Sequence, residues 1–126
     1  MADTQPTYVE EPTAYLFTVT LASPGRVQDS AVNIDRDSDF LFTGIIGPTT
    51  AGNCTFNFRL PAQRLYSNIE IPNNLIMGTA NQPTAIGPPP VYRAGSSGPQ
   101  VTVTNTSGAT NTINILFTGT RRVRTT

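Results

Sequence analysis

The chain has 126 residues, which is the usual size of a single domain. Its eight arginines balance eight carboxylates, and a net charge of zero gives no long-range attraction to nucleic acid or to an anionic membrane. Because the sequence holds no lysine and no histidine, it excludes a Ser-His-Asp triad, a Cys-His pair, a histidine metal site and a Schiff-base lysine.

Short β-strands separated by turns are predicted along the first half of the chain. Residues 1–13 show no hydrophobic period and are predicted to form an extended N-terminal arm. Residues 14–21 alternate apolar and polar side chains, as a half-buried strand does. Further strands are predicted at residues 27–34, 40–46 and 53–60, each followed by aspartate, glycine or proline turn residues.

The second half of the chain continues this pattern around one long loop. A short strand is predicted at residues 65–71 and one turn of helix at residues 72–77. Residues 79–99 are rich in proline and glycine and predict a long loop, of a kind that is usually functional or contacts another molecule. The strands predicted at residues 100–106 and 112–123 would form a C-terminal hairpin. Seven or eight short strands favour an all-β fold, an antiparallel β-sandwich that is jelly-roll-like.

The clearest alternation marks the centre of the predicted core of this one domain, residues 14–126. Cys54, Phe56, Phe58 and Leu60 share one face of a strand. The thiol of Cys54 has no histidine or lysine to activate it, so it is predicted to be structural. The rest of the predicted core is Phe17, Val19, Val101, Val103, Ile113, Ile115 and Phe117.

Three aspartates have the D-x-D-x-D spacing of a calcium-binding loop. After Asp35, Asp37 and Asp39, however, Phe40 stands where such a loop needs glycine, and Ile46 stands where it needs a bidentate glutamate. A solvated turn is therefore the favoured interpretation, with a partner contact and calcium binding as alternatives. We expect no metal, no cofactor and no enzymatic activity.

Three arginines cluster near the C-terminus, where Arg121, Arg122 and Arg124 alternate with Val123. One interpretation is an edge strand that is protected by charge. A second is a salt-bridging contact with an acidic partner surface. Nucleic-acid binding is the weakest of the three, because no aromatic residues are interleaved with the arginines.

The second half of the chain also carries a set of short motifs. In order, they are Phe58-Arg59-Leu60, Tyr66-Ser67-Asn68, Ile71-Pro72, Leu75, Met77-Gly78, the loop at residues 79–99 (the proline loop), Tyr92-Arg93-Ala94-Gly95, the threonine- and asparagine-rich run at 101–112 and Gly119. They are preceded by the acidic turn at 35–40. Over residues 33–123 this set resembles small structural proteins of tailed bacteriophage virions, which are described as minor head, cement or decoration proteins.

The resemblance implies a β-sandwich that self-associates on the shell, as a dimer or trimer, and binds across neighbouring major capsid proteins. It implies no catalytic residue and no cofactor. The expected location is the capsid exterior of the virion, after synthesis in the host cytoplasm, with no specific nucleic acid, membrane or small-molecule substrate as partner. The alternative functions are a phage tail, head–tail or receptor-binding component, or a non-phage ligand-binding β-sandwich module.

Partner contacts are expected from the segments that have no hydrophobic period. The arm at residues 1–13 and the loop at residues 79–99 cannot bury a face of their own, and ordering them alone would cost entropy. Prolines lower this cost in advance, because they restrict the unfolded chain. The candidate partner-binding residues are Tyr8, Glu10, Glu11, Pro88, Pro89, Pro90, Tyr92, Arg93, Arg121, Arg122 and Arg124.

Overall fold

A computed structural model describes residues 7–124, with the side chains of residues 29–31 and 124 left out of the description. Within these residues lie nine β-strands, one short helix, α1 (Asn73–Ile76), and a single 3-10 turn at Pro61–Gln63. The strands are β1 (Tyr8–Leu21), β2 (Arg26–Asn33), β3 (Ser38–Ile46), β4 (Cys54–Phe58), β5 (Ile71–Pro72), β6 (Thr84–Ala85), β7 (Val91–Tyr92), β8 (Ser97–Asn105) and β9 (Asn111–Arg124).

The strands form two antiparallel sheets that enclose one hydrophobic core, which confirms the predicted all-β sandwich. The first sheet has the order β1-β9-β3-β6, and β7 also pairs with β3. The second sheet has the order β2-β8-β4-β5. The pairing is nested, since β1 pairs with β9, β2 with β8, β3 with β6 and β4 with β5.

The last two strands lie in different sheets, so the predicted C-terminal hairpin is wrong. The buried side chain of Asn105, at the end of β8, explains the crossing. Its amide nitrogen donates to the backbone oxygens of Leu21 and Ala109 at 2.7 and 2.8 Å, and its Oδ1 accepts from the Ser107 N–H at 3.0 Å. These bonds hold the turn after β8 against the end of β1, which directs the chain into the first sheet.

The alternating side chains of both sheets meet in a core that is rich in phenylalanine. The predicted core residues are buried in all but two cases, because Val19 and Leu60 are only partly buried. The ring of Phe42 contacts the rings of Phe58 and Phe117 edge-on, each with centroids 5.3 Å apart. β3 contributes three side chains that the predicted core did not include, Phe40, Phe42 and Ile45.

β1 begins at Tyr8 rather than at residue 14, so residues 8–13 of the predicted arm are a paired strand. Charge contacts replace hydrophobic burial at this end. Glu11 lies 3.2 Å from Arg121, and Glu10 lies 3.7 Å from Arg122. A hydrophobic period cannot reveal a strand that is held in this way. Residues 1–6 of the predicted arm lie outside the described residues.

The segment at residues 79–99, predicted as a loop, contains secondary structure. β6 and β7 both pair with β3, and β8 begins at Ser97 rather than at residue 100. Between the two short strands, the Pro90 carbonyl accepts a hydrogen bond from the Phe42 N–H at 3.0 Å. Strands of two residues are too short to show an alternating period, so the sequence pattern could not distinguish them from loop.

The strand before α1 is shorter than the strand predicted at residues 65–71, and most of that segment is loop. β5 covers Ile71–Pro72 alone, and Ile69 is 63% exposed. α1 confirms the predicted turn of helix, and Gly78 lies two residues after its end. Among residues 7–124, no helix is long and apolar enough to cross a membrane.

Candidate protein-binding surface

The charged candidate residues at the two chain ends lie together, because β1 and β9 pair along their full length. Glu11 accepts from Arg121 Nε, and Glu10 faces Arg122, whose guanidinium also lies 5.7 Å from the Tyr8 ring centroid. These residues therefore contact one another across the strands.

β9 is not an edge strand, because β1 and β3 flank it on both sides. The interpretation of Arg121, Arg122 and Arg124 as protection of an edge is therefore wrong. The reason is that β1 extends to Tyr8 and pairs with the end of β9, with Tyr8 opposite Arg124. The Arg124 side chain is outside the described part of the structure.

The acidic turn at residues 35–39 holds the neighbouring loop in place. Asp39 Oδ1 accepts from the Ala94 N–H at 2.8 Å, and the Asp35 carbonyl accepts from the Gly95 N–H at 2.8 Å. The Asp35 N–H donates to the Tyr15 hydroxyl at 3.3 Å. In the described part of the chain, no three histidine, cysteine or acidic side chains form a group that could hold a metal ion.

Tyr92 is packed mainly into the core. Its side chain is 4% exposed, and its hydroxyl donates to the Arg59 carbonyl at 2.8 Å. Burial raises the pKa of this phenol, so the hydroxyl remains a hydrogen-bond donor over the ordinary pH range. Tyr92 was selected from the sequence as a partner contact, and the structure places its side chain largely in the core, where its hydroxyl ties β7 to the end of β4.

An apolar hollow of about 380 Å³ opens beside the proline loop. The Tyr66 ring forms one wall and stacks on the buried Phe58 ring, with centroids 4.6 Å apart and planes 19° apart. Tyr66 is 42% exposed, so one face of its ring remains accessible. The full lining is Leu60, Pro61, Arg64, Tyr66, Ile86, Gly87, Pro88 and Pro90.

A second, more polar hollow of about 370 Å³ adjoins the first, because Leu60 and Pro61 line both. Its lining is Arg59, Leu60, Pro61, Ala62, Gln63, Val91, Tyr92, Arg93, Ser96, Ser97, Gly98 and Gln100. We call the residues that line the two hollows the arginine-proline surface. Of the candidates from sequence, Pro88, Pro90 and Arg93 lie on it as accessible side chains, whereas Pro89 does not line either hollow.

The turn that separates the two hollows has a strained backbone. Ala62 and Gln63 have φ values of 69° and 64°, in the left-handed region that residues other than glycine rarely adopt. Hydrogen bonds hold this conformation, from the Leu60 N–H to the Arg64 carbonyl at 2.6 Å and from Arg59 Nη1 to the Gln63 carbonyl at 2.9 Å. Strain of this kind costs about 1–3 kcal/mol per residue and is concentrated at functional sites.

The arginine-proline surface has a positive charge on a chain whose net charge is zero. Among its lining residues, Arg59, Arg64 and Arg93 are basic and none is acidic. Residues 59–64 and Tyr66 were not among the partner-binding candidates from the sequence, since a turn of mixed composition has no period. One signal was available in the sequence: the pair Leu60-Pro61 ends the clearest predicted strand, and Arg59 and Arg64 lie on either side of it.

No family model, no curated protein and no solved structure matches this chain.

Proposed function

We propose that this protein is a structural component of a tailed-bacteriophage virion, a capsid cement or decoration subunit that binds across neighbouring major capsid proteins. The resemblance of residues 33–123 supports the virion assignment. The observation that carries the binding role is the arginine-proline surface, where an apolar hollow adjoins three arginines and no acid. The proposed location is the capsid exterior, after synthesis in the host cytoplasm.

The chemistry of this surface suits a protein partner with an apolar side chain surrounded by carboxylates. An apolar side chain would enter the hollow against Tyr66 and Pro88, and the carboxylates would contact Arg64 and Arg93. Tyrosine and arginine are enriched among the residues that dominate protein interfaces. Pro88 and Pro90 restrict the loop before binding, so less entropy is lost on contact.

The nested strand pairing supports a finer assignment of the fold. In a jelly roll, the first strand pairs with the last and successive inner strands pair in the same nested order. The pairs β1–β9, β2–β8, β3–β6 and β4–β5 follow this order. We therefore infer a jelly-roll sandwich in which β7 is an additional short strand on β3.

The proposed role needs no catalytic residue, metal or cofactor. The partners are the major capsid protein and further copies of this chain, as a dimer or trimer. A tail, head–tail or receptor-binding component would use the same arginine-proline surface on a different phage protein, so the two roles differ in where the protein lies in the particle.

A second candidate, a ligand-binding module, is favoured by a polar hollow of about 380 Å³ on the outer face of the second sheet. It is lined by Arg26, Gln28, Asn57, Arg59, Leu65, Asn68, Ile69, Glu70 and Thr102. Glu70 is already engaged there, since it accepts from the hydroxyls of Thr55 and Thr104 at 3.0 and 2.7 Å. Selective binding to a glycan array would favour this candidate over the virion proposal.

The binding proposal is tested with capsids that are prepared without this protein. Arg64→Glu and Arg93→Glu, combined in one variant, should lower its affinity for these capsids at least about tenfold, because like charges would face each other. Arg36→Glu is the control for a single charge reversal outside the two hollows, matched to either substitution made alone, and it should bind as the wild type does. Equal binding by the double variant would show that the arginine-proline surface is not the interface.

Cryo-electron microscopy of the complete particle tests the location. Density for this chain between neighbouring major capsid proteins is the expected result. Density in the tail or at the head–tail junction would overturn the capsid assignment in favour of the alternative phage component.

A further inference from the structure

β1 forms a long and regular free edge of the first sheet. It pairs with β9 over all 14 residues without a register shift. The edge strand of the second sheet, β2, has two register shifts against β8, and β5, β6 and β7 have two residues each. Bulges and short strands prevent edge-to-edge pairing, so β1 is the described edge that is open to it.

The hydrogen bonds of β3 establish which backbone groups of the sheet point in which direction. The Phe42 N–H donates to the Pro90 carbonyl at 3.0 Å, on the side of β7. Because successive residues of a strand point to opposite sides, Leu41 faces β9. Leu41 pairs with Thr120, so Thr120 faces β3 and the next residue, Gly119, faces β1.

The same alternation continues into β1. Gly119 pairs with Thr13, so Thr13 faces β9, and the backbone of Pro12 faces away from the sheet. Proline suits that position because it has no N–H to leave unpaired. The residues whose N–H and C=O groups point outward are therefore Tyr8, Glu10, Pro12, Ala14, Leu16, Thr18 and Thr20, all of which are exposed.

An apolar row crosses the outer face of the first sheet and stops at this edge. Ile46 of β3 pairs with Leu116 of β9, and Leu116 pairs with Leu16 of β1. Leu16 is 60% exposed although it lies in a regular strand. These three side chains line one shallow hollow of about 350 Å³ on this face. The row ends where a strand from another molecule would extend it.

We propose that two copies of this chain pair through β1, antiparallel, about a two-fold axis that passes beside Leu16. In this register Leu16 lies opposite Leu16 of the second copy, Ala14 opposite Thr18, and Pro12 opposite Thr20. About eight backbone hydrogen bonds then form between the copies. The apolar row becomes continuous from Ile46 of one copy to Ile46 of the other, and the first sheets of the two copies join into one.

The distribution of charge on β1 favours a second copy as the occupant of this edge. Residues 12–21 carry no charged side chain, so nothing on the paired stretch repels an identical strand. Glu10, the nearest charge whose backbone points outward, lies beyond the last pair in this register. In each copy Pro12 lies at one end of the paired stretch, so its missing N–H removes one hydrogen bond at each end of the dimer contact.

A dimer that pairs through β1 would bind capsids bivalently, a consequence that rests on the proposed function. The arginine-proline surface includes residues next to β6 and β7, which lie at the opposite edge of the first sheet from β1. In the dimer, the two β6 strands are about 34 Å apart, given the usual spacing of neighbouring strands. The two surfaces would therefore contact separate capsid subunits, and such bivalent binding raises affinity by about 10²–10⁴.

The test is the oligomeric state of the purified full-length protein by analytical ultracentrifugation. The wild type should be a dimer at about 100 µM, a concentration at which even a modest interface is occupied. Leu16→Lys should raise the dimer dissociation constant at least about 100-fold, because two ammonium groups would meet at the axis. Leu75→Lys adds the same charge at a leucine that is 71% exposed outside β1, and it should leave the dimer intact.

A second measurement tests the register. Leu16→Cys should cross-link two copies through a short bismaleimide, because the two positions are adjacent across the axis. Thr20→Cys should not, because its two copies lie about 27 Å apart in this register. The wild type is the background control, since its Cys54 is 1% exposed. Equal cross-linking of both variants, a monomeric wild type, or an unchanged dimer in Leu16→Lys would overturn the proposal.

The dimer measurements are independent of the test of the proposed function, because they use no capsid. A dimer that does not bind capsids would contradict the proposed function alone. A monomer that binds capsids through the arginine-proline surface would contradict the dimer alone.

Discussion

Replacing Asn73 with alanine should destabilise the fold strongly, although the residue lies in a helix of four residues. Asn73 is 0% exposed. Its Nδ2 donates to the carbonyls of Pro48 and Thr50 at 2.6 and 2.9 Å, and its Oδ1 accepts from the Cys54 N–H at 3.3 Å. One side chain therefore holds α1, the turn after β3 and the start of β4 together.

The magnitude follows from what the substitution leaves behind. Alanine would leave three backbone groups near the core without this partner, and an unsatisfied buried polar group costs about 1–3 kcal/mol. Partial access of water to the turn at Pro48 and Thr50 reduces the cost for the carbonyls, since both residues retain some exposure. We therefore expect Asn73→Ala to lower the free energy of unfolding by about 3–5 kcal/mol.

Urea unfolding, followed by tyrosine fluorescence and circular dichroism, measures this change. Asn74→Ala is the matched control, because Asn74 is the exposed neighbour on the same helix and should change the free energy of unfolding by less than about 0.5 kcal/mol. Asn73→Asp retains the acceptor but places a carboxylate against two carbonyls, so this variant should become less stable as the pH rises above about 4. A loss below about 1 kcal/mol in Asn73→Ala would refute the argument that this amide connects the three segments.

Two further predictions concern close packing and pH. A Cβ at Gly119 would collide with the Leu41 carbonyl oxygen and lie 2.7 Å from the Phe40 ring. Gly119→Ala should therefore lower the free energy of unfolding by about 1–3 kcal/mol. An unchanged Tm in this variant would contradict the close approach of β9 to β3. Burial raises the pKa of the Cys54 thiol to about 11, so the folded state disfavours the thiolate, and stability should fall as the pH rises between about 9 and 11. In Cys54→Ala that decline should become shallower, and a slope equal to that of the wild type in urea unfolding at these pH values would show that Cys54 does not titrate in this way.

The pattern of the sequence determined the fold class because sheet formation on one buried face leaves a period of two. Phe56 and Phe58 alternate with polar residues, and both are buried as expected. Composition by itself excludes catalytic and metal sites that need histidine or lysine, since the chain has neither residue. Of the partner-binding candidates selected from the sequence, Pro88, Pro90 and Arg93 line the arginine-proline surface as accessible side chains.

The tertiary structure decided which strands are neighbours and which side chains meet, because these contacts join residues far apart in the chain. Hydrophobic period does not distinguish a hairpin from a crossing between sheets, and the bonds of Asn105 decide that choice. Tyr66 reaches the proline loop only when the second sheet places its ring on Phe58. The free edge of β1 is likewise invisible in sequence, since an edge is defined by the strand that is missing beside it.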